Sequence, residues 1–148
     1  MSDTILRIIP TNPSYIPGEN SQSKAQNLLL GIFKPQEVEL ETTPEIEFID
    51  QGSNFGNVCC NLCGQEIAIE DWQGAMDIGY ETKFKNLMFQ TPCCSSETSL
   101  NDLKYSWPAG FSRFSISIRN PQAEMDTPTL NELQNILESP LRVIWAHY

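Results

Sequence analysis

Five cysteines fall in two clusters, Cys59-Cys60-Asn61-Leu62-Cys63 and Cys93-Cys94, and none occurs elsewhere in the 148 residues. Two thiolates separated by two residues converge on one ion when the chain turns between them. Gly64, directly after Cys63, supplies a permissive backbone for that turn. A chain of this length buries roughly 68–70% of its unfolded surface and needs no disulfides to hold a core. The opening MSDTILRIIPTNP lacks a basic stretch followed by a long apolar one, so the reading is a cytoplasmic protein with reduced thiols. Five reduced cysteines can also be small buried hydrophobes. Redox chemistry ranks below both, because a redox CxxC is expected to open a helix, whereas Cys63 is followed by glycine and the strand-like Glu66-Ile67-Ala68-Ile69.

Over residues 58–95 the CxxCG turn resembles the zinc knuckle of zinc-ribbon proteins. The resemblance implies a second ligand pair, and Pro92-Cys93-Cys94 is the place for it. Ribbons normally repeat CxxC, so the adjacent cysteines depart from the pattern. The favoured ligands are Cys60, Cys63, Cys93 and Cys94, leaving Cys59 free; exchanging one of the adjacent pair for Cys59 or for the lone His147 fits the count as well. Four thiolates leave no coordination position for water, so such a zinc is structural. Between the pairs, a helix near 70–81 presents Trp72, Met76, Gly79 and Tyr80 as a core stripe.

The flanks read differently. A strand at 4–9 is stopped by Pro10, and a helix near 22–33, capped by Ser21 or Ser23, ends before Pro35. One or two strands follow across 37–49. A strand at 111–118, a helix with Thr127 as cap and Pro128 behind it, and a strand at 141–145 close the chain. Strand, helix, strand on both flanks is the split βαβ order of a ferredoxin-like sheet. The expectation is one α+β domain over 1–148 with a zinc-ribbon-like insert at 51–110 and no other repeat. Ser99-Leu100-Asn101-Asp102 reads as a capping box opening a helical turn, and Trp107-Pro108-Ala109-Gly110 as a plug over the core.

Nine basic against 19 acidic side chains give a formal charge of −10. That balance argues against direct nucleic-acid binding, which relies on Lys and Arg displacing counterions. No apolar run approaches the roughly 18–20 residues of a membrane span. GxSxG, HExxH and phosphate-loop patterns are absent, and one histidine limits acid–base schemes. Glu37, Glu39 and Glu41 alternate on one strand face, as do Glu45 and Glu47. They read either as a solvated, aggregation-resistant edge or as a docking face for a basic protein partner.

The chain also resembles a group of small bacterial proteins without an established activity that carry a CxxCG knuckle, a PCC pair, a Ser-Leu-Asn-Asp-Leu run and a terminal Trp-Ala-His-Tyr. The matching residues are Cys60 to Gly64, Pro92 to Cys94, Ser99 to Leu103 and Trp145 to Tyr148. The resemblance implies a bacterial cytosolic origin. The functional expectation is a zinc-stabilised module that binds a basic protein, in the manner of an immunity protein or antitoxin. The alternatives are a metal-dependent enzyme with an open zinc site and a zinc-ribbon adaptor of a transcription or translation assembly.

Overall fold

A computed structural model describes residues 3–148. In chain order the elements are β1 (Thr4–Pro10), α1 (Glu19–Phe33), β2 (Val38–Ile49), β3 (Val58–Cys59), α2 (Ile69–Glu81), β4 (Met88–Gln90), β5 (Glu97–Ser99), β6 (Lys104–Tyr105), β7 (Gly110–Arg119), α3 (Thr127–Leu137) and β8 (Leu141–His147). The fold is mixed, with three helices and antiparallel sheets.

Alternating apolar residues make the main sheet. Leu6 and Ile8 of β1, Phe114, Ile116 and Ile118 of β7, and Val38 of β2 bury the same face. The strand order is β2-β7-β1-β8, with every neighbouring pair antiparallel. Ala25, Leu29 and Phe33 of α1 and Leu133 and Leu137 of α3 close that face into one hydrophobic cluster.

Helix α1 starts earlier than its serines suggest. Pro17 and Gly18 end the preceding loop, and the Gln22 amide donates both to Gly18 O from its backbone (2.9 Å) and to Pro17 O from its side chain (2.8 Å). Ser21 and Ser23 thus lie inside the helix, and Gly18 is its cap. Helix α3 is capped by Asp126 rather than Thr127: its carboxylate accepts from Thr129 N–H at 2.8 Å, with Pro128 in the first turn. Hydrogen bonds from Thr129, side chain first and backbone second, hold the Asp126 carboxyl below its ordinary range. A depressed carboxyl stabilises the fold above its unfolded titration range and loses that contribution as pH falls through its folded value. Asp126→Ala is therefore expected to lower the melting temperature at pH 7, with the gap to wild type narrowing progressively in thermal melts taken down to pH 3.

Strand β2 is one strand with an interruption. Val38 to Thr42 pair with Ile118 to Phe114, and Glu47 to Ile49 pair with Ser112 to Gly110, so four residues stand opposite Arg113 alone. Pro44, which has no N–H to give the ladder, lies in that excursion. Thr43 Oγ1 donates to Glu45 O, and Arg113 Nε donates to Thr43 O at 2.9 Å.

A second hydrophobic cluster gathers Val58, Cys60, Ile67, Ala75, Leu100, Tyr105 and Phe111. Phe111 belongs to β7 and packs 5.1 Å, centroid to centroid, from both Phe48 and Phe84. The same end is fastened by Asn101, buried to 5% exposure. Its side chain donates to Thr11 O and accepts from Phe111 N–H. The Arg142 guanidinium of β8 donates to Asn101 O at 2.9 Å and to Ala109 O at 2.7 Å. Burial lowers the Arg142 pKa, and it lifts that of Tyr105 to about 12.

Three local expectations need correction. Ser99 to Asp102 form a turn after β5, in which Ser99 Oγ and O accept from Asn101 N–H and Asp102 N–H, not a helix start. Trp107 is 47% exposed while Ala109 is buried, so the Trp-Pro corner does not plug the core with its indole. On α2 the inward stripe is Trp72, Ala75, Met76 and Gly79, and Tyr80 points outward. Gly79 keeps its place there because an added Cβ would press on Phe84 and Leu100 side chains at 3.3 and 3.4 Å.

Candidate metal centre

Two tight turns build the centre. In the first, β3 runs into Cys60, and the chain returns to pair Glu66 with Cys59. Cys60 N–H donates to Gln65 O and Gly64 N–H to Cys60 O, both at 2.9 Å. Gly64 has φ +80°, a left-handed conformation that glycine adopts without steric cost. Leu62 N–H approaches Cys60 Sγ at 3.3 Å, so backbone dipoles face the sulfur.

In the second, the antiparallel pair β4 and β5 carries Thr91 to Ser96 at its tip. Thr91 N–H donates to Ser96 O at 2.9 Å, and Ser95 N–H donates to Thr91 O at 3.0 Å. Ser95 has φ +55°. Thr98 Oγ1 donates to Asn61 Oδ1 at 2.8 Å and ties the two turns together.

The turns bring Cys60, Cys63, Cys93 and Cys94 together, all four sulfurs lying within 4.8 Å of one another. Cys63 and Cys93 are 3.3 Å apart, and Cys60 and Cys94 are 3.9 Å apart. A tetrahedral zinc thiolate site with bonds of about 2.3 Å has sulfur–sulfur edges of about 3.8 Å. Four sulfurs at this spacing can hold one metal ion. Adjacency does not prevent Cys93 and Cys94 from reaching the same point, because the turn carries them round the centre. Cys60 is fully buried in the second hydrophobic cluster, Cys93 and Cys94 are half-buried, and Cys63 is exposed.

The thiols are unequal. The backbone N–H of Cys63 lowers the Cys60 pKa against the opposing effect of burial. The Thr91 hydroxyl, 3.1 Å from Cys94 Sγ, is the leading reason that Cys94 falls to about 6. At Cys63 the Gln65 backbone N–H pulls downward, but hydrogen bonding to Cys93, desolvation and the other two sulfurs raise it to about 12. Sulfurs this close share protons, and a metal ion that displaces those protons binds more tightly as pH rises.

The two alternative ligands lie elsewhere. Cys59 pairs with Lys104 in the ladder of β3 and β6, and it is outside the four-sulfur group. His147 sits on β8 with Nδ1 3.2 Å from Thr4 Oγ1. The acidic residues form a separate surface: Glu37, Glu39, Glu41 and Glu47 line one groove with Ser115 and Ser117, while Glu45 falls in the interruption of β2. Glu37, Glu39, Glu41 and Glu47 are exposed and Glu45 is half-buried.

Thr91 and Asn101 escaped the sequence reading. Thr91 precedes a proline and a cysteine pair, but its contact with Cys94 depends on the turn geometry. Asn101 looked like a residue of a capping box. The chain matches no protein-family profile, no curated protein and no solved structure. Among the described residues, no helix is long and apolar enough to cross a membrane.

Proposed function

We propose that this protein is a zinc-stabilised protein-binding module whose acidic face receives a basic partner, in the manner of an immunity protein or antitoxin. The observation that carries the metal part is the convergence of four thiol sulfurs within 4.8 Å of one another. An all-sulfur tetrahedral set favours zinc among the common divalent ions and leaves it a structural role. Thiols that must stay reduced suit a cytoplasmic protein.

The same reading takes residues 1–148 as one ferredoxin-like split βαβ domain with a zinc-ribbon-like insert at 51–110. Support comes from the strand order β2-β7-β1-β8, with α1 and α3 as the two crossover helices. Further support comes from the placement of all four sulfurs on two turns of the intervening segment. The metal would cross-link the two turns of that segment beside the apolar cluster that Val58, Ile67 and Leu100 share with Phe111 of β7.

Glu37, Glu39, Glu41 and Glu47 then offer a row of charge along an edge strand, with Glu45 beside it. Rows of one sign steer encounter with an opposite surface and fix its register. Substituting Glu37, Glu39 and Glu41 together by lysine is expected to abolish capture of a basic partner. The melting temperature should move by no more than about 6 °C, because three exposed substitutions, each changing stability by roughly 0.5 kcal/mol or less, sum to about 1.5 kcal/mol. Pull-down from the source cytosol, compared with a melt of the same protein, measures both; undiminished capture would overturn the docking face.

A further inference from the structure

The two turns of the metal centre are built on one plan, residue for residue. Cys60 N–H donates to Gln65 O and Thr91 N–H to Ser96 O; Gly64 N–H donates to Cys60 O and Ser95 N–H to Thr91 O. Cys59 pairs with Glu66 as Gln90 pairs with Glu97. Gly64 and Ser95 both have positive φ, at 80° and 55°. Each first-turn number raised by 31 gives its second-turn counterpart, without an insertion or a gap. In this register Cys63 corresponds to Cys94, but Cys60 corresponds to Thr91 and the exposed Leu62 to Cys93.

We infer that the second turn is a metal knuckle whose first ligand has moved two positions along the chain, from the place now held by Thr91 to Cys93. The inference rests on the metal reading proposed above. Thr91 keeps the buried position of its counterpart, at 1% exposure against 0% for Cys60. Its hydroxyl contacts Cys94 Sγ instead of binding the ion itself. Cys93, at the position where the first turn projects Leu62 outward, reaches across to 3.3 Å from Cys63 Sγ. The centre therefore takes two thiolates from one turn in the usual spacing and two neighbouring thiolates from the other. The threonine fills the vacated ligand position and sets its hydroxyl 3.1 Å from the remaining sulfur of its turn.

Moving the ligand back tests the inference. Cobalt(II) is titrated into wild type, Cys93→Ala, and the double variant Thr91→Cys with Cys93→Ala, each reduced and freed of metal, with the sulfur-to-cobalt charge-transfer band as readout. Loss of a partner outside the ligand set typically weakens metal binding 10–100-fold, so loss of Cys93 itself is expected to cost at least about 100-fold. The double variant should recover to within about 10-fold of wild type and regain the four-thiolate band intensity. A double variant no tighter than Cys93→Ala overturns the equivalence of the turns. A wild type that binds no cobalt overturns the metal reading and this inference with it. Should the double variant fail to fold, T91C alone decides: in the metal-bound protein it should leave Cys93 open to alkylation, and continued protection of Cys93 would refute the shift.

Discussion

Cys60→Ser should yield a protein without bound metal whose middle segment has lost its order while its helix-covered sheet persists. Cys60 is both a member of the four-sulfur group and a fully buried part of the second hydrophobic cluster. Structural zinc contributes about 10–16 kcal/mol in finger peptides. Whole domains are stable by only about 5–15 kcal/mol. Losing a term as large as a whole domain's stability is expected to open the segment even though the apolar cluster around Val58, Ile67, Leu100 and Tyr105 remains. Amide exchange across 58–67 and 88–105 should accelerate at least about 100-fold, whereas β1 and the Phe114 to Ile118 part of β7 should change little. Native mass spectrometry reports the metal, and exchange mass spectrometry the order. Cys59→Ser is the matching control: it lies outside the sulfur group and should keep full metal content. Metal retained by Cys60→Ser would refute the ligand assignment.

Phe111→Ala is expected to be the most damaging change outside the sulfurs. Phe111 is completely buried, and it lies between Phe48 of β2 and Phe84 of the segment after α2. Its backbone N–H also donates to Asn101 Oδ1, which in turn receives the Arg142 guanidinium at 3.2 Å. A buried phenylalanine replaced by alanine costs about 3–5 kcal/mol, from lost transfer free energy and the cavity left behind. For a chain near 150 residues, that is a fall in melting temperature on the order of 10 °C. Differential scanning calorimetry would measure it. A shift below 2 °C would mean that the second cluster does not depend on β7.

The two predictions separate local from distant causes. Losing a sulfur should open one segment, because an ion held by the four sulfurs would tie the two turns together. Losing Phe111 should weaken both clusters, because its strand carries Phe114, Ile116 and Ile118 in the first.

The sequence by itself determined the elements that obey a short-range period. The apolar stripe Ala25, Leu29, Phe33 makes α1, and the alternation Phe114, Ile116, Ile118 makes that part of β7, whatever the rest of the chain does. CxxCG likewise predicts its own turn, since two thiols and a left-handed glycine are local properties. Boundaries set by competition were less legible. Gly18 displaced Ser21 and Ser23 as a cap because Pro17 had already ended the loop, and Asp126 displaced Thr127 because its carboxylate reaches Thr129 N–H.

The tertiary structure alone decided everything that depends on pairing distant turns. It brought Cys93 and Cys94, which the sequence favoured without closing the question, to the first pair and left the alternatives Cys59 and His147 elsewhere. It made Asn101 the tie between Thr11, Phe111 and Arg142 rather than part of a cap. It also set Thr91 against Cys94. Such choices carry no periodicity. They follow from the strand order β2-β7-β1-β8 and from two hairpins meeting tip to tip, and a thiol or an amide reads the same in sequence whether or not its partner has arrived.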